Sequence, residues 1–459
     1  MKINFIKLLY EEENDMKKNK GITLVALVVT IVVLLILAGV SINLVLGNNG
    51  IIAKAKEAQR KSAEASQNDL IGMNELAQQL EEQINGSAGS GSGNGGAGGS
   101  GAGTKVPAEA TAETAPYFPD NTFTKKEGTI DTGLVIQDAS GNEYVWVVVP
   151  KSLYNNTAYN SNNAKKPSSS TDYANIEYCL QQYTATYRKG TSYSDVYYAD
   201  TANEGWFEDE TAYNNLKNSM LKSVYENGGF YVGRYEAGIG TNRTSIEAKV
   251  DGKYPVPTTV PVTKADAYPY TYVTRTQAQN LATSVNSGSR TSSLMFGVQW
   301  DLVLAFMSKD TAKVTDTSIL TSNSTTIGNY RNSTFDLNRG KYVQNGKLGN
   351  PWKNFDSALD SIVVSNETTG KMKKTEQSSS SNSILLTTGG TEQNKVMNLY
   401  DIAGNVWEWT LEKTSRGSLP CALRGGSYIN DGSSYTAAYR PSDNTTNAND
   451  TIGFRVTLW

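Results

Sequence analysis

Histidine is missing altogether from this 459-residue chain, and cysteine occurs only twice, at Cys179 and Cys421. Without histidine there is no Ser-His or Cys-His nucleophile pair and no His-ligated zinc or iron. Two distant cysteines leave two alternatives, one disulfide in an exported chain or two thiols. A charge excess is missing too: 42 Lys and Arg face 45 Asp and Glu, a net of -3. That balance gives no clustered basic face for nucleic acid, so no nucleic-acid partner is expected. Apolar residues are only 38% of the chain, whereas tyrosine (26) and glycine (41) are plentiful, with much Asn, Ser and Thr. Adaptable recognition surfaces use this palette of rigid amphipathic rings and small hydrogen-bonding groups.

One long apolar run stands against that polar background. Residues 22–46, ITLVALVVTIVVLLILAGVSINLVL, carry no charge. As a helix the run rises roughly 37 Å at ~1.5 Å per residue, enough to cross a bilayer core of about 30 Å. The basic stretch MKKNKG at 16–21 holds that end on the cytoplasmic side. A basic leader closed by Gly21 and followed by an apolar helix resembles the type IV prepilin signal. The resemblance implies cleavage after Gly21 by a prepilin peptidase, methylation of the new amino terminus at Ile22, and other pilins as partners. Two positions depart from the pattern: Ile22 replaces an aromatic, and Ala26 replaces a Glu that registers subunits in a filament. An uncleaved single-pass anchor is the alternative. Residues 1–15 carry an acidic run, and Met16 is an alternative start.

Further on, Leu70, Met73, Leu76, Leu80 and Ile84 recur at spacings of three and four and lay an apolar stripe along a stalk helix. The GNNG at 47–50 can interrupt it, since glycine costs about 1 kcal/mol per helical position. Residues 86–104 are almost entirely Gly, Ser and Ala, and 105–116 are rich in Ala, Pro, Thr and Glu. Such a segment cannot repay its ordering entropy. As a coil of ~30 residues it spans roughly 30 Å. The expected division is a leader at 1–21, an anchor and stalk at 22–84, a tether at 85–117 and a head domain at 118–459.

In the head, EYVWVVVP at 143–150 and GGFYVGRYEAG at 228–238 read as strands bounded by turn residues. YPYTYVTRTQAQNLA at 268–282 reads as a strand running into a helix with Thr274 as N-cap. Residues 292–307 read as a helix with Trp300, Val303, Leu304 and Met307 on one side. The Tyr-, Asn- and Ser-rich stretches 151–203 and 308–394 read as insertions or long loops.

The C-terminal motifs are the most specific. NLYDIAGNVWEWT at 398–410, LRGGSY at 423–428, Tyr439-Arg440 and IGFRV at 452–456 follow in order. This series resembles the formylglycine-generating enzyme (sulfatase-modifying factor) family, whose fold is a variant of the C-type lectin fold. Segments 228–238, 273–278 and 293–305 also resemble that family, with Arg275 in place of a Trp. The resemblance covers about 118–459 and implies an α+β, loop-rich, C-type-lectin-like head behind the transmembrane helix. Enzymes of the family work through a cysteine pair between the GGS and GFR blocks. Residues 428–453 here contain no cysteine. The resemblance therefore implies a retained fold with the chemistry removed. The rival is an oxidase that uses Cys179 and Cys421, although Cys421 lies outside that interval.

In the same family the loop matching 401–409 binds calcium. That places the side chains of Asp401 and Glu408 and the carbonyls of Gly404 and Val406 around a structural calcium ion. The alternative is that Glu408, between Trp407 and Trp409, satisfies buried N–H groups and no ion binds. Gly425 and Gly426 allow positive φ or close backbone approach, and Arg424, Arg440 and Arg455 read as internal clamps.

The stretch 428–450, YINDGSSYTAAYRPSDNTTNAND, lacks large aliphatic residues and should line an exposed surface. Tyr428, Tyr435 and Tyr439 would supply contact area there. Asn430, Asp431, Ser433, Ser434, Asn444, Asn447, Asn449 and Asp450 would supply hydrogen bonds. The stretch also resembles the variable proteins of diversity-generating retroelements, ligand-binding proteins of this fold whose C-terminal patch varies at adenines of Asn-type codons. Most of these residues, and Ile429, belong to the set such codons yield. The expectation is a bacterial membrane-anchored protein whose extracellular head binds a protein or glycan ligand without catalysis. A structural minor pilin is the further alternative.

Overall fold

The computed structural model describes residues 109–190, 193–199, 206–345, 350–357 and 361–459. The expected leader, Gly21 and Ile22, the apolar run, the stalk and most of the tether lie outside the described residues. Among the described residues no helix is long and apolar enough to cross a membrane.

The N-terminal elements are β1 (Thr124–Glu127), β2 (Val135–Gln137), β3 (Glu143–Val148), α1 (Ser170–Tyr183) and β4 (Tyr193–Ser194). Then come α2 (Glu210–Asn227), β5 (Gly229–Gly233), α3 (Arg275–Ala282), β6 (Ser292–Ser293) and α4 (Gly297–Met307). The C-terminal part holds β7 (Lys341–Gln344), β8 (Ile384–Leu386), β9 (Trp407–Thr414), β10 (Cys421–Arg424), β11 (Ser442–Asp443), β12 (Ile452–Phe454) and β13 (Thr457–Leu458). One sheet runs β1-β2-β3-β5-β13-β6, so the last strand of the chain lies beside β5. The motif-bearing sheet runs β11-β10-β9-β12, with β4 also paired to β9 and the β9–β12 pair parallel.

The predicted strands form because their β-branched and aromatic side chains fill both faces of a covered sheet: Tyr144, Val145, Trp146 and Val147 are all fully buried. Thr274 caps α3 as its sequence suggests, in a capping box with Gln277. The helix expected over 292–307 begins only at Gly297, because Ser292 and Ser293 pair with β13. All eleven residues of α4 are buried, as in a helix apolar all round. Its first two N–H groups, on Gly297 and Val298, donate to the Asp195 carboxylate at 2.7 and 3.0 Å. Burial and the nearby Glu177 push the Asp195 pKa up to about 6.

Two expectations are corrected. The stretch 151–203 is not simply loop: it contains α1, capped by Ser169, which buries Ile176, Cys179 and Leu180. The longer α2 follows it and was not foreseen. The head also begins before 118. Thr114 is buried, donating to the Gly228 carbonyl at 2.7 Å and accepting from Trp146 Nε1 at 2.8 Å. Of the two alternatives left open for the cysteines, two thiols is the one observed: Cys179 and Cys421 are both buried and are not joined in a disulfide.

Candidate functional site

Two arginines and two carboxylates close a ring in the interior. Arg424 donates to Glu412 Oε1 at 2.8 Å and to Asp301 Oδ1 at 2.7 Å. Arg440 donates to Glu412 Oε2 at 2.9 Å and to both oxygens of Asp301 at 2.9 Å. The four side chains are at most 1% exposed. Tyr193 on β4 completes the assembly: its hydroxyl donates to Asp301 at 2.6 Å and its ring lies 3.6 Å from the Arg440 guanidinium. The ring ties α4, β9, β10 and the segment after β10 together. Charges removed from water persist through such mutual pairing, although the buried Arg424 Nε has no hydrogen-bond partner among the described residues. The clamp role expected of Arg424 and Arg440 is realised here.

Arg455 forms a second clamp. It donates to both Glu408 oxygens at 2.6–3.1 Å and to the carbonyls of Gly233 and Tyr400 at 3.0 and 2.9 Å. Asp401 accepts from Gly389 N–H at 2.8 Å and from Asn394 Nδ2 at 3.1 Å. The backbone N–H of Val406 donates to buried Glu236 at 3.1 Å, and Gly404 bridges to Asn329. Every oxygen of Asp401 and Glu408 thus already faces an N–H donor, and a guanidinium stands where a cation would sit on Glu408. Among the described residues no group of three or more Asp, Glu or Cys could hold a metal. The expected calcium donors Asp401, Gly404, Val406 and Glu408 do not fit a calcium cage, and Glu408 is satisfied by the Arg455 guanidinium rather than by the backbone N–H groups of the alternative expectation.

Gly425 and Gly426 both adopt positive φ, +92° and +84°. A Cβ on Gly426 would lie 2.6 Å from both the Tyr330 ring and the Tyr435 carbonyl. The double glycine therefore lets the chain turn tightly out of β10 into the interval 428–450.

Within that interval the expected surface divides. Tyr428 is not on it: the ring is fully buried with Val343, Leu385 and Val406, so its expected place on an exposed surface is corrected. Its hydroxyl donates to Asp450 Oδ2 at 2.6 Å, and burial raises its pKa far above the phenol range. Asn430 Oδ1 accepts from the Ser427 N–H and hydroxyl at 3.0 and 2.7 Å. Asp431 accepts from Arg331 Nη2 and Asn332 Nδ2 at 3.0 Å each and from the Ser433 hydroxyl at 2.6 Å. Asn444 and Asn449 each hold a threonine two residues on, Thr446 and Thr451, and Asn447 donates to Asp443 at 2.7 Å. These short polar side chains build the turns themselves.

Ser433, Ser434 and Tyr435 are exposed, Tyr435 by 37%. The Tyr435 ring meets half-buried Tyr439 edge-on at 5.2 Å, and both contact Trp407, at 5.9 and 6.3 Å. Trp407 is anchored in β9 opposite Ile452, so this aromatic ledge stands on the motif-bearing sheet.

One residue at this surface carried no signal in the sequence. Tyr272 has a left-handed backbone, φ +55°, which costs a bulky residue roughly 1–3 kcal/mol. Its N–H donates to the Asn449 carbonyl at 3.1 Å, and its own carbonyl accepts from Arg243 Nη2 at 3.0 Å. Arg331 and Asn332, from the stretch read as a loop, were likewise not foreseen as supports of Asp431.

With this geometry in hand, comparison with known proteins is informative for the C-terminal part. Residues 341–458 match the family described as "Sulfatase-modifying factor enzyme 1-like domain". The match supports the C-type-lectin-like, mixed helix and sheet fold expected there. No curated protein sequence matches the chain. Among solved structures, CarF is 15% identical and is matched over 58% of this chain and 95% of its own, with a TM-score of 0.25. Treponema denticola variable protein 1 is also 15% identical, over 50% of this chain and 95% of its own, with a TM-score of 0.13. Likeness at these scores carries no argument about function.

Proposed function

We propose that the head binds a protein or glycan ligand, without catalysis, through the surface around Tyr435, Tyr439 and the turns of 428–450. The carrying observation is the exposed Ser433-Ser434-Tyr435 segment, backed by Trp407 and Tyr439, in a region whose other motif residues are buried. Rigid rings lose little entropy on binding, and hydroxyls add adaptable hydrogen bonds. Against oxidase chemistry stand the lack of cysteine in 428–453 and the Cys179 thiol, which burial pushes up to about 12. A thiol at that pKa holds almost no thiolate at neutral pH. The test applies the full-length protein to arrays of glycans and of purified bacterial and host surface proteins. Binding by the wild type that Tyr435→Ala weakens, at unchanged melting temperature, is the expected result. Binding untouched by Tyr435→Ala puts the ligand elsewhere.

The composition of 428–450 further supports a retroelement-diversified surface, and the apolar run supports a pilin-like membrane anchor with an extracellular head. Comparing the locus across isolates tests the first: changes at adenine positions beside a reverse-transcriptase gene are expected, and an invariant stretch refutes it. Mass spectrometry tests the second, with an N-methylated Ile22 terminus expected and an intact Gly21–Ile22 bond contradicting processing.

A further inference from the structure

Lys374 is fully buried in the short strand Met372–Lys374, yet among the described residues it pairs with no carboxylate. Its ammonium instead donates to three backbone carbonyls of one turn: Tyr330 at 2.7 Å, Ser333 at 2.6 Å and Arg331 at 3.2 Å. An ammonium has three N–H donors, so the three oxygens satisfy it completely. A bare potassium or ammonium ion is held by main-chain carbonyls in the same way. Phe335, directly across the strand pair, places its ring 5.4 Å from the charge. Burial pulls the Lys374 pKa down to about 7, with Glu376 acting in the opposite direction, and the three carbonyl dipoles favour the charged form.

The caged turn also carries the supports of the exposed segment. Arg331 donates from its backbone N–H to the Asn430 carbonyl at 2.9 Å and from Nη2 to Asp431 at 3.0 Å. Asn332 donates to Asp431 Oδ1 and accepts from the Gly432 N–H, each at 3.0 Å. Two neighbouring residues of the turn thus grip residues 430–432, immediately before Ser433, Ser434 and Tyr435. We propose that the 330–333 turn is a monovalent-cation cradle that the Lys374 ammonium fills from within, making Lys374 a positioning residue of the ligand surface. The positioning role rests on the ligand-binding reading above, and the cradle stands without it. A cation carried on the chain is present at any salt concentration, so the turn needs no ion from solution.

The test is amide hydrogen exchange, read by mass spectrometry on the full-length protein at about pH 6, where the ammonium is charged. Lys374→Met keeps the apolar stem and removes the donors, whereas Lys374→Ala also leaves room for an ion. Both are expected to speed exchange in 427–436 about tenfold or more, with residues 143–148 as in the wild type. Ammonium chloride is expected to restore Lys374→Ala but not Lys374→Met, and tetramethylammonium chloride to restore neither. Exchange in 427–436 unchanged by both variants, or an equal response of Lys374→Ala to the two salts, overturns the cradle. So does a Lys374→Ala protein that opens throughout or fails to fold and that ammonium does not recover. Array binding lost in Tyr435→Ala but kept in an opened Lys374→Ala would overturn the positioning role while leaving the ligand surface standing. Array binding untouched by either variant, with exchange as expected, would refute the ligand surface and the positioning role and leave the cradle standing.

Discussion

Asp301, Glu412, Arg424 and Arg440 bond to one another in the interior, whereas Ser433, Ser434 and Tyr435, a few residues before Arg440, face solvent. The first group fixes the sheet and helix that frame the interval. The second rests on that frame and adds little to it. The difference shows how one short stretch can be rigid and permissive together. Its geometry is set by buried charges and Asx turns, Ser433 included through its bonds to Asp431, so the exposed Ser434 and Tyr435 side chains carry little structural duty. A surface built this way tolerates changes of side chain without changes of fold.

The comparison breaks first at the ring. Arg440→Ala leaves Asp301 and Glu412 short of a cation and is expected to cost about 3–5 kcal/mol in denaturant unfolding. A cost below about 1 kcal/mol would mean that the ring is not a structural centre. Asp195→Asn sharpens the same point through pH. The buried Asp195 pKa rises from 3.8 to about 6, so the folded protein holds this proton more tightly than the unfolded chain. Its contribution to stability therefore falls as pH rises from about 4 to about 6, by up to roughly 3 kcal/mol. The variant is expected to lack that fall when the two unfolding curves are compared across the range, and parallel curves would refute it.

Tyr428→Phe lies between the regions. It removes the hydroxyl from Asp450 but keeps the buried ring, with an expected loss of roughly 1–2 kcal/mol. No loss would mean that Asp450 orients itself. Ser434→Ala, on the exposed side, is expected to shift stability by no more than about 0.5 kcal/mol, read from the melting temperature. A larger shift would return Ser434 to the frame.

Much of the frame was legible in the sequence. The strand at Glu143–Val148, the Thr274 cap, the double glycine and the three arginine clamps followed from residue type and spacing. Missed were α1 and α2, because their buried faces mix tyrosine, cysteine and methionine with polar neighbours and give weak periodicity. Tyr428 was read as surface because its neighbours are polar, yet its ring fills a gap beside Val406 that only tertiary packing creates. Calcium at Asp401 and Glu408 was inferred by resemblance, and the N–H donors that occupy both carboxylates, Gly389 and Asn394 on Asp401 and the more distant Arg455 on Glu408, are brought there by the fold. Tyr272 left no trace in composition, since its φ is set by bonds to Arg243 and Asn449.

The central claim is that the exposed side chains recognise a ligand and the buried ones hold the fold. The most direct measurement pairs melting temperature with array binding for full-length Tyr435→Ala and Arg440→Ala. The account predicts that Tyr435→Ala loses binding at a nearly unchanged melting temperature, and that Arg440→Ala lowers the melting temperature steeply. Full binding by Tyr435→Ala, or a melting temperature that falls as far as that of Arg440→Ala, would contradict it.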